Sequence, residues 1–127
     1  MIKQTFDVDG YFKVIVYWNM DYNFFDDAAL EMMKIGFKRA AIEEVYNSLR
    51  FEDAKAVTCS RVEEHTSIVI FNPHTSDADY ISSIVHEAEH VKQAMLAAYD
   101  VEDRGEAPAY TIGYLVSRMY ETFRKFL

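Results

Sequence analysis

The sequence is poor in the residues that stabilise secreted or fibrous proteins. Its 127 residues include one cysteine, two prolines and four glycines. Because Cys59 has no second cysteine to pair with, no internal disulfide can form, which favours a reducing compartment over secretion. With so little proline and glycine, no stretch is typical of a linker or a low-complexity segment. We therefore expect a single domain spanning residues 1–127.

Positive charge and long apolar runs are also scarce. Thirteen Lys and Arg residues face 21 Asp and Glu residues, a net charge of -8, so the chain lacks the clustered cations that bind nucleic acid. No apolar run approaches the ~18 residues of a membrane span, and the first residues do not resemble a signal peptide. We therefore expect a cytoplasmic protein with no nucleic-acid or membrane partner. Half of the residues are apolar, which is enough for a packed core without disulfides.

The order of the predicted elements indicates an α+β domain. Alternating apolar residues predict strands, Asp9-Gly10 predicts a hairpin turn, and apolar residues three and four apart predict helices. The predicted strands are Ile2–Asp7, Tyr11–Trp18, Ala56–Val62 and Ser67–Phe71, and the predicted helices run from Asp26 or Asp27 to about Leu49, from about Asp77 to Ala98 and from Glu106 to Phe126. This pattern predicts a small mixed or antiparallel sheet of about four strands packed on helices.

The helix over residues 77–98 contains the motif HExxH, formed by His86, Glu87 and His90. Residues four apart lie one turn apart on nearly the same face of a helix, so both imidazoles can bind one metal ion. The glutamate beside the first histidine is then placed to act as a general base on water. By chance, the motif is expected in about one in a hundred sequences of this composition.

The neighbours of the histidines predict that this helix packs on two sides. The histidines lie away from the apolar stripe that faces the core, and small residues flank them where a solvated face would carry Lys and Glu. The final helix has a matching face of small residues. The two sets are Ser83, Ala94 and Ala97 in the first helix, and Ala109, Gly113 and Ser117 in the second. We therefore expect the histidines inside an interface between the two helices.

A third metal ligand is expected because a catalytic zinc ion usually takes three protein ligands and leaves one position for water. Glu106 is the best-placed downstream acid, because it begins the final helix on its small-residue face. The segment 99–105 can span roughly 20 Å, which is enough for the chain to double back toward His90. Asp100 and Asp103 are no better placed, since they lie closer to the far end of the preceding helix.

Three other interpretations of the motif remain open at this point. The match can be a coincidence, or both histidines can lie on a solvated helix face. The third possibility is a structural zinc site with four protein ligands, for which Cys59, His65 or His74 supplies the fourth.

The motif together with Glu106 in the segment Gly-Glu-Ala-Pro-Ala-Tyr resembles the gluzincin metallopeptidases, in particular their minimal single-domain forms from bacteria and phages. The resemblance covers about residues 76–120. It implies a zincin-like fold, with His86, His90 and Glu106 as zinc ligands and Glu87 as the catalytic base. It also implies that residues 67–71 form the edge strand that pairs with an extended peptide substrate.

These observations predict a zinc-dependent metallopeptidase that acts on a peptide or protein substrate. Tyr110, one turn after Glu106, is the first candidate to stabilise the oxyanion, and His74 is the second. The alternative is a catalytically inactive zincin-fold binding protein that holds a structural metal or none. An enzyme requires an open coordination position for water and an accessible groove beside residues 67–71. A scaffold instead requires a fourth protein ligand, or a histidine face sealed by Tyr110, Tyr114 or a neighbouring subunit. The sequence indicates no oligomeric state.

Overall fold

The computed structural model describes residues 1–126 and contains four strands and four main helices in that range. The predicted positions of the strands and of the last two helices agree with the structure to within a few residues. The strands are β1 (Ile2–Val8), β2 (Phe12–Trp18), β3 (Ala56–Arg61) and β4 (Thr66–Phe71), and the helices are α1 (Phe25–Lys34), α2 (Arg39–Phe51), α3 (Asp77–Ala98) and α4 (Glu106–Phe123).

The four strands form one mixed sheet in the order β1-β2-β4-β3. The pairs β1–β2 and β3–β4 are antiparallel, and the central pair β2–β4 is parallel. A parallel pair needs a long crossover connection, which α1, α2 and β3 provide here. The predicted α+β class and the predicted sheet of about four strands are therefore confirmed.

Helices cover both faces of this sheet. Alternate residues of β2 point to opposite sides, so Val14 and Val16 pack with α3 and α4, while Ile15 and Tyr17 pack with α1 and α2. The sheet therefore separates two hydrophobic clusters, one beneath α3 and α4 and the other beneath α1 and α2. Within residues 1–126, no helix is both long and apolar enough to cross a membrane.

The prediction of one helix from Asp26 or Asp27 to Leu49 is wrong, because the chain breaks at Gly36. Gly36 has a φ of 101°, and its N–H donates to the Met33 carbonyl at 3.0 Å, while the N–H of Phe37 donates to the Met32 carbonyl at 3.0 Å. These two bonds form a Schellman motif, the usual glycine-dependent end of a helix. The apolar spacing continues across the break, and this continuity misled the prediction.

The prediction that residues 67–71 form an edge strand is also wrong. They belong to β4, which lies between β2 and β3, and all six residues of β4 are buried. The edge strand next to the HExxH helix is β3. A strand that pairs on both sides cannot receive a further strand, so a peptide can add only to an edge strand, β1 or β3, and β3 is the one whose Thr58 contacts Glu87 of the motif.

The predicted close packing of α3 and α4 through small residues is not observed. The helices instead contact each other through the bulky side of α4, which contributes Leu115, Met119 and Phe123 to the core. Gly113 and Ser117 are exposed, and no atom lies within 4 Å of a Cβ added to Gly113. The physical reason is that burying the large side chains removes more apolar surface from water than burying the small ones.

Candidate metal centre

Helix α3 carries the two histidines on its exposed side, one turn apart. Ser76 caps the N-terminus of α3, and its Oγ accepts a hydrogen bond from the Asp79 N–H at 3.1 Å. The Nε2 atoms of His86 and His90 lie 3.3 Å apart, and the side chain of His86 is 70% exposed. The prediction that the histidines are enclosed between α3 and α4 is therefore wrong, and both imidazoles are accessible from solvent.

The separation of the two nitrogens fits a shared zinc ion. For an ion about 2.05 Å from both Nε2 atoms, a 3.3 Å separation corresponds to an N–Zn–N angle of about 107°, close to the tetrahedral value. Two neutral imidazoles can also share one hydrogen bond at this distance, so the geometry alone supports the metal without requiring it.

Glu87 lies beside the pair but points into the protein. It is only 6% exposed, and its Oε1 accepts a hydrogen bond from the Thr58 hydroxyl of β3 at 2.9 Å. Its other oxygen, Oε2, is 3.9 Å from Nε2 of His86. One carboxylate oxygen is thus held in place while the other lies near Nε2 of His86, an arrangement that suits a general base acting on water.

A groove of about 310 Å³ runs between the start of α3 and β3 and reaches this carboxylate. Its wall on the strand side includes Ala56, and its wall on the helix side includes His86 and Glu87. An ion pair between Lys55 and Asp79 lies along the same groove. The candidate centre therefore opens onto a groove that reaches the first residue of the edge strand.

The free edge of β3, which meets this groove at Ala56, presents unpaired main-chain groups. The Asn72 N–H donates to the Lys55 carbonyl at 3.0 Å, which identifies these opposed residues as a hydrogen-bonded pair next to the strand. In an antiparallel ladder such pairs alternate with non-hydrogen-bonded ones, so the peptide groups of Ala56, Thr58 and Ser60 point away from β4. Within residues 1–126, no strand pairs with that side of β3.

Glu106 does not join the histidines in this structure. It is exposed at the first position of α4, directly after Gly105, which has a φ of 84°. Among the residues that the structure describes, no three His, Cys, Asp or Glu side chains converge on a point where they could hold a metal. Asp103 is also engaged elsewhere, since it binds Lys92 at 2.8 Å. The role of Glu106 as a third ligand remains a prediction.

The residues considered for a fourth ligand have other environments. His74 bridges the carbonyl of Asn72 (2.6 Å) and the hydroxyl of Ser83 (2.7 Å), and His65 lies 3.1 Å from the Tyr11 hydroxyl. Cys59 is buried in the cluster on the opposite face of the sheet. Burial, with the charge of Glu87 as a second cause, raises the pKa of the Cys59 thiol to about 11, which disfavours the thiolate that zinc binds.

Tyr110, the first candidate for oxyanion stabilisation, lies in another part of the molecule. It is 75% exposed and lines a separate cavity of about 350 Å³ with Val8 and Tyr99. The aromatic residues of α4 therefore do not seal the histidines, as an inactive scaffold would require. The assignment of Tyr110 remains a prediction that this arrangement does not support.

Sequence reasoning missed Thr58, the residue that orients Glu87. The sequence did carry a signal that β3 lies at the edge, in the contrast between its composition and that of β4. Residues 68–71 form an unbroken apolar run, which is typical of a central strand, whereas polar Thr58 and Ser60 alternate with apolar residues in β3, as in a strand that is partly exposed.

Comparison of the chain with protein-family models, with curated proteins and with solved structures finds no match in any of the three.

Proposed function

We propose that this protein is a zinc-dependent peptidase with a zincin-like active site on α3. The observation that carries the proposal is the joint geometry of the HExxH motif: the two Nε2 atoms lie 3.3 Å apart, and one oxygen of the buried Glu87 carboxylate lies 3.9 Å from Nε2 of His86. A solvated pair of histidines on a helix would not require a buried, hydrogen-bonded glutamate beside it, since burying a carboxylate is costly unless it is bonded.

In this proposal, zinc binding and proton transfer are carried out by different residues. His86 and His90 would hold the zinc ion, with Glu106 as the proposed third ligand. Zinc bound there supplies Lewis acidity, which makes water more acidic and polarises a carbonyl. Glu87 accepts a proton from the attacking water at Oε2 while Thr58 holds Oε1. As the C–N bond breaks, Glu87 passes this proton to the leaving amine nitrogen.

The substrate would be an extended peptide that pairs with the edge strand β3. Main-chain groups of Ala56, Thr58 and Ser60 face the free edge, and the groove that both Ala56 and Glu87 line connects the start of this edge to the candidate base. Pairing at Thr58 would bring a peptide carbonyl beside the residue that orients the base. The proposal therefore assigns binding to β3 and chemistry to α3.

The second candidate is an inactive binding protein built on the same scaffold. The observation in its favour is that Glu106 stands apart from the histidines among the described residues. Against it, both histidines are open to solvent and the groove beside them is accessible. These two features favour the enzyme.

Peptide cleavage by the purified chain tests the proposal directly. We expect the zinc-loaded protein to cleave unstructured peptides of eight or more residues, a chelator to stop the reaction, and added zinc to restore it. Mass spectrometry of the products would locate the cleaved bonds. An absence of cleavage in a diverse peptide library, with zinc demonstrably bound, would favour the binding protein instead.

Substitution of Ala56 by Pro tests the role assigned to the edge strand. Proline removes the outward N–H of the first residue of β3 but no hydrogen bond to β4, so the fold should be retained. Losing one hydrogen bond of about 1 kcal/mol should raise KM about fivefold with little change in kcat. Ala56→Ser retains the N–H and is the matched control. An unchanged KM for Ala56→Pro would show that peptides do not pair with this part of β3.

A further inference from the structure

The helices on the other face of the sheet expose an unusual amount of apolar surface. Phe24, Leu30 and Met33 are 57%, 50% and 60% exposed, and Phe51 at the end of α2 is 66% exposed. Among the described residues, Tyr110 is the only other large apolar side chain exposed to 50% or more. We call this surface, together with the groove between α1 and α2, the α1–α2 face.

The groove in this face has aromatic walls and a volume of about 780 Å³. Phe25 and Tyr46 contact each other across the two helices, with ring centroids 5.0 Å apart, and Phe37 and Met33 line the groove nearer the interhelical turn. The two rings meet edge to face, at an interplanar angle of 67°, and the groove beside them forms a concave, mainly apolar surface. Contiguous apolar patches of this kind mark interaction sites on soluble proteins.

The charges at the rim of the groove are arranged with opposite signs at opposite ends. Asp26 lies in the first turn of α1, and Lys38 lies immediately before α2. Phe25, next to Asp26, contacts Tyr46, and Lys38 lies eight residues before Tyr46, so at 1.5 Å per residue Asp26 and Lys38 are about 12 Å apart along the groove. Within residues 1–126 neither forms an ion pair, whereas Arg39 and Glu43 at the same rim pair with each other at 2.9 Å.

We propose that the α1–α2 face binds a second copy of this chain in a two-fold symmetric dimer. A two-fold axis through the centre of the groove places Asp26 of one copy opposite Lys38 of its partner, and does so twice. The same rotation places the apolar linings of the two grooves, which include the exposed Met33, against each other. Such local pairing is needed because two chains of net charge -8 otherwise repel each other.

The size of the face sets the expected strength of this dimer. Helix α2 has 13 residues and is about 20 Å long, so two adjacent helices about 10 Å wide offer a footprint of about 400 Å². Stable interfaces bury about 800 Å² on each partner, so the dimer should be weak and reversible. Because α1 and α2 lie across the sheet from α3, both His86–His90 pairs stay accessible in it.

Sedimentation velocity over a range of protein concentrations, up to about 0.5 mM, tests the proposal with charge-reversed variants. Asp26→Lys and Lys38→Glu should each raise the dimer dissociation constant at least tenfold, because like charges then face each other twice. An equimolar mixture of the two variants should dimerise again, since both ion pairs form between the different chains. Glu121→Lys on α4 makes the same charge change outside the face and should leave the dimer unchanged. Thermal melting of each variant checks that it is folded.

Three results would overturn the proposal. The first is a wild-type chain that stays monomeric throughout this concentration range, which would leave the face for a different partner. The second is a dimer that neither single variant weakens, which would place the interface elsewhere. The third is a mixture of the two variants that remains monomeric while the wild type dimerises, which would exclude the two-fold pairing of Asp26 with Lys38.

Discussion

Replacement of Glu87 by Gln is expected to reduce peptide cleavage by about 10²- to 10⁴-fold, the usual contribution of a general base. Glutamine has nearly the same shape and can still accept the hydrogen bond from Thr58 at the Oε1 position. It cannot take a proton from water at neutral pH, so the loss should fall on kcat. The measurement is kcat and KM on one peptide at equal zinc occupancy, because the histidines are unchanged in this variant.

The Thr58→Val variant tests the contribution of the Thr58 hydroxyl, which orients Glu87, separately from that of Glu87 itself. Valine retains the shape of threonine but removes the hydroxyl that donates to Glu87 at 2.9 Å. Without that donor the carboxylate is less firmly oriented, so we expect a loss of about tenfold, smaller than for Glu87→Gln, with zinc binding intact. If Glu87→Gln retained full activity, the mechanism assigned to this residue would be wrong.

The sequence determined the elements of this fold more reliably than their arrangement. Local patterns located every strand and both C-terminal helices, because alternation and three-to-four spacing report directly on which side chains can be buried. The break at Gly36 also had a local signal, glycine following Lys34 in the last turn of α1. That signal was outweighed by an apolar stripe in which Leu30 and Met33 proved to be exposed.

The arrangement depended on contacts between residues distant in the sequence. The parallel pairing of β2 with β4 joins residues about 50 positions apart and makes β3 the edge strand. Similarly, HExxH specified the spacing of His86 and His90, but which side of α3 meets α4 depends on competition between two faces of α4. The face of α4 with large side chains packs into the core, and the histidines of α3 are exposed. A short-range pattern therefore specified the spacing of the candidate ligands without locating their surroundings.

Substitution of His86 by Ala is expected to weaken zinc binding by more than about 100-fold. Even residues that only support a metal ligand change affinity by 10- to 100-fold, and this variant removes a ligand itself. One imidazole remains, and Glu87 is held toward β3 by Thr58 and cannot replace the lost nitrogen without giving up that bond. Metal analysis after purification without chelator, followed by titration against a competing chelator, measures the change. We expect about one zinc per chain in the wild type and none in the variant.

Two further variants make the zinc measurement specific to the proposed centre. His65→Asn removes a histidine that contacts Tyr11, and because asparagine tolerates the left-handed backbone at this position (φ 48°), zinc binding should be unchanged. Glu106→Gln decides the third ligand: a loss of affinity of about tenfold or more would mean that Glu106 reaches the metal when zinc is bound. An unchanged affinity would leave a centre of two histidines completed by water or substrate. Equal zinc content in the wild type and His86→Ala would mean that the metal binds elsewhere, and the pair at 3.3 Å would then be a hydrogen bond between two imidazoles.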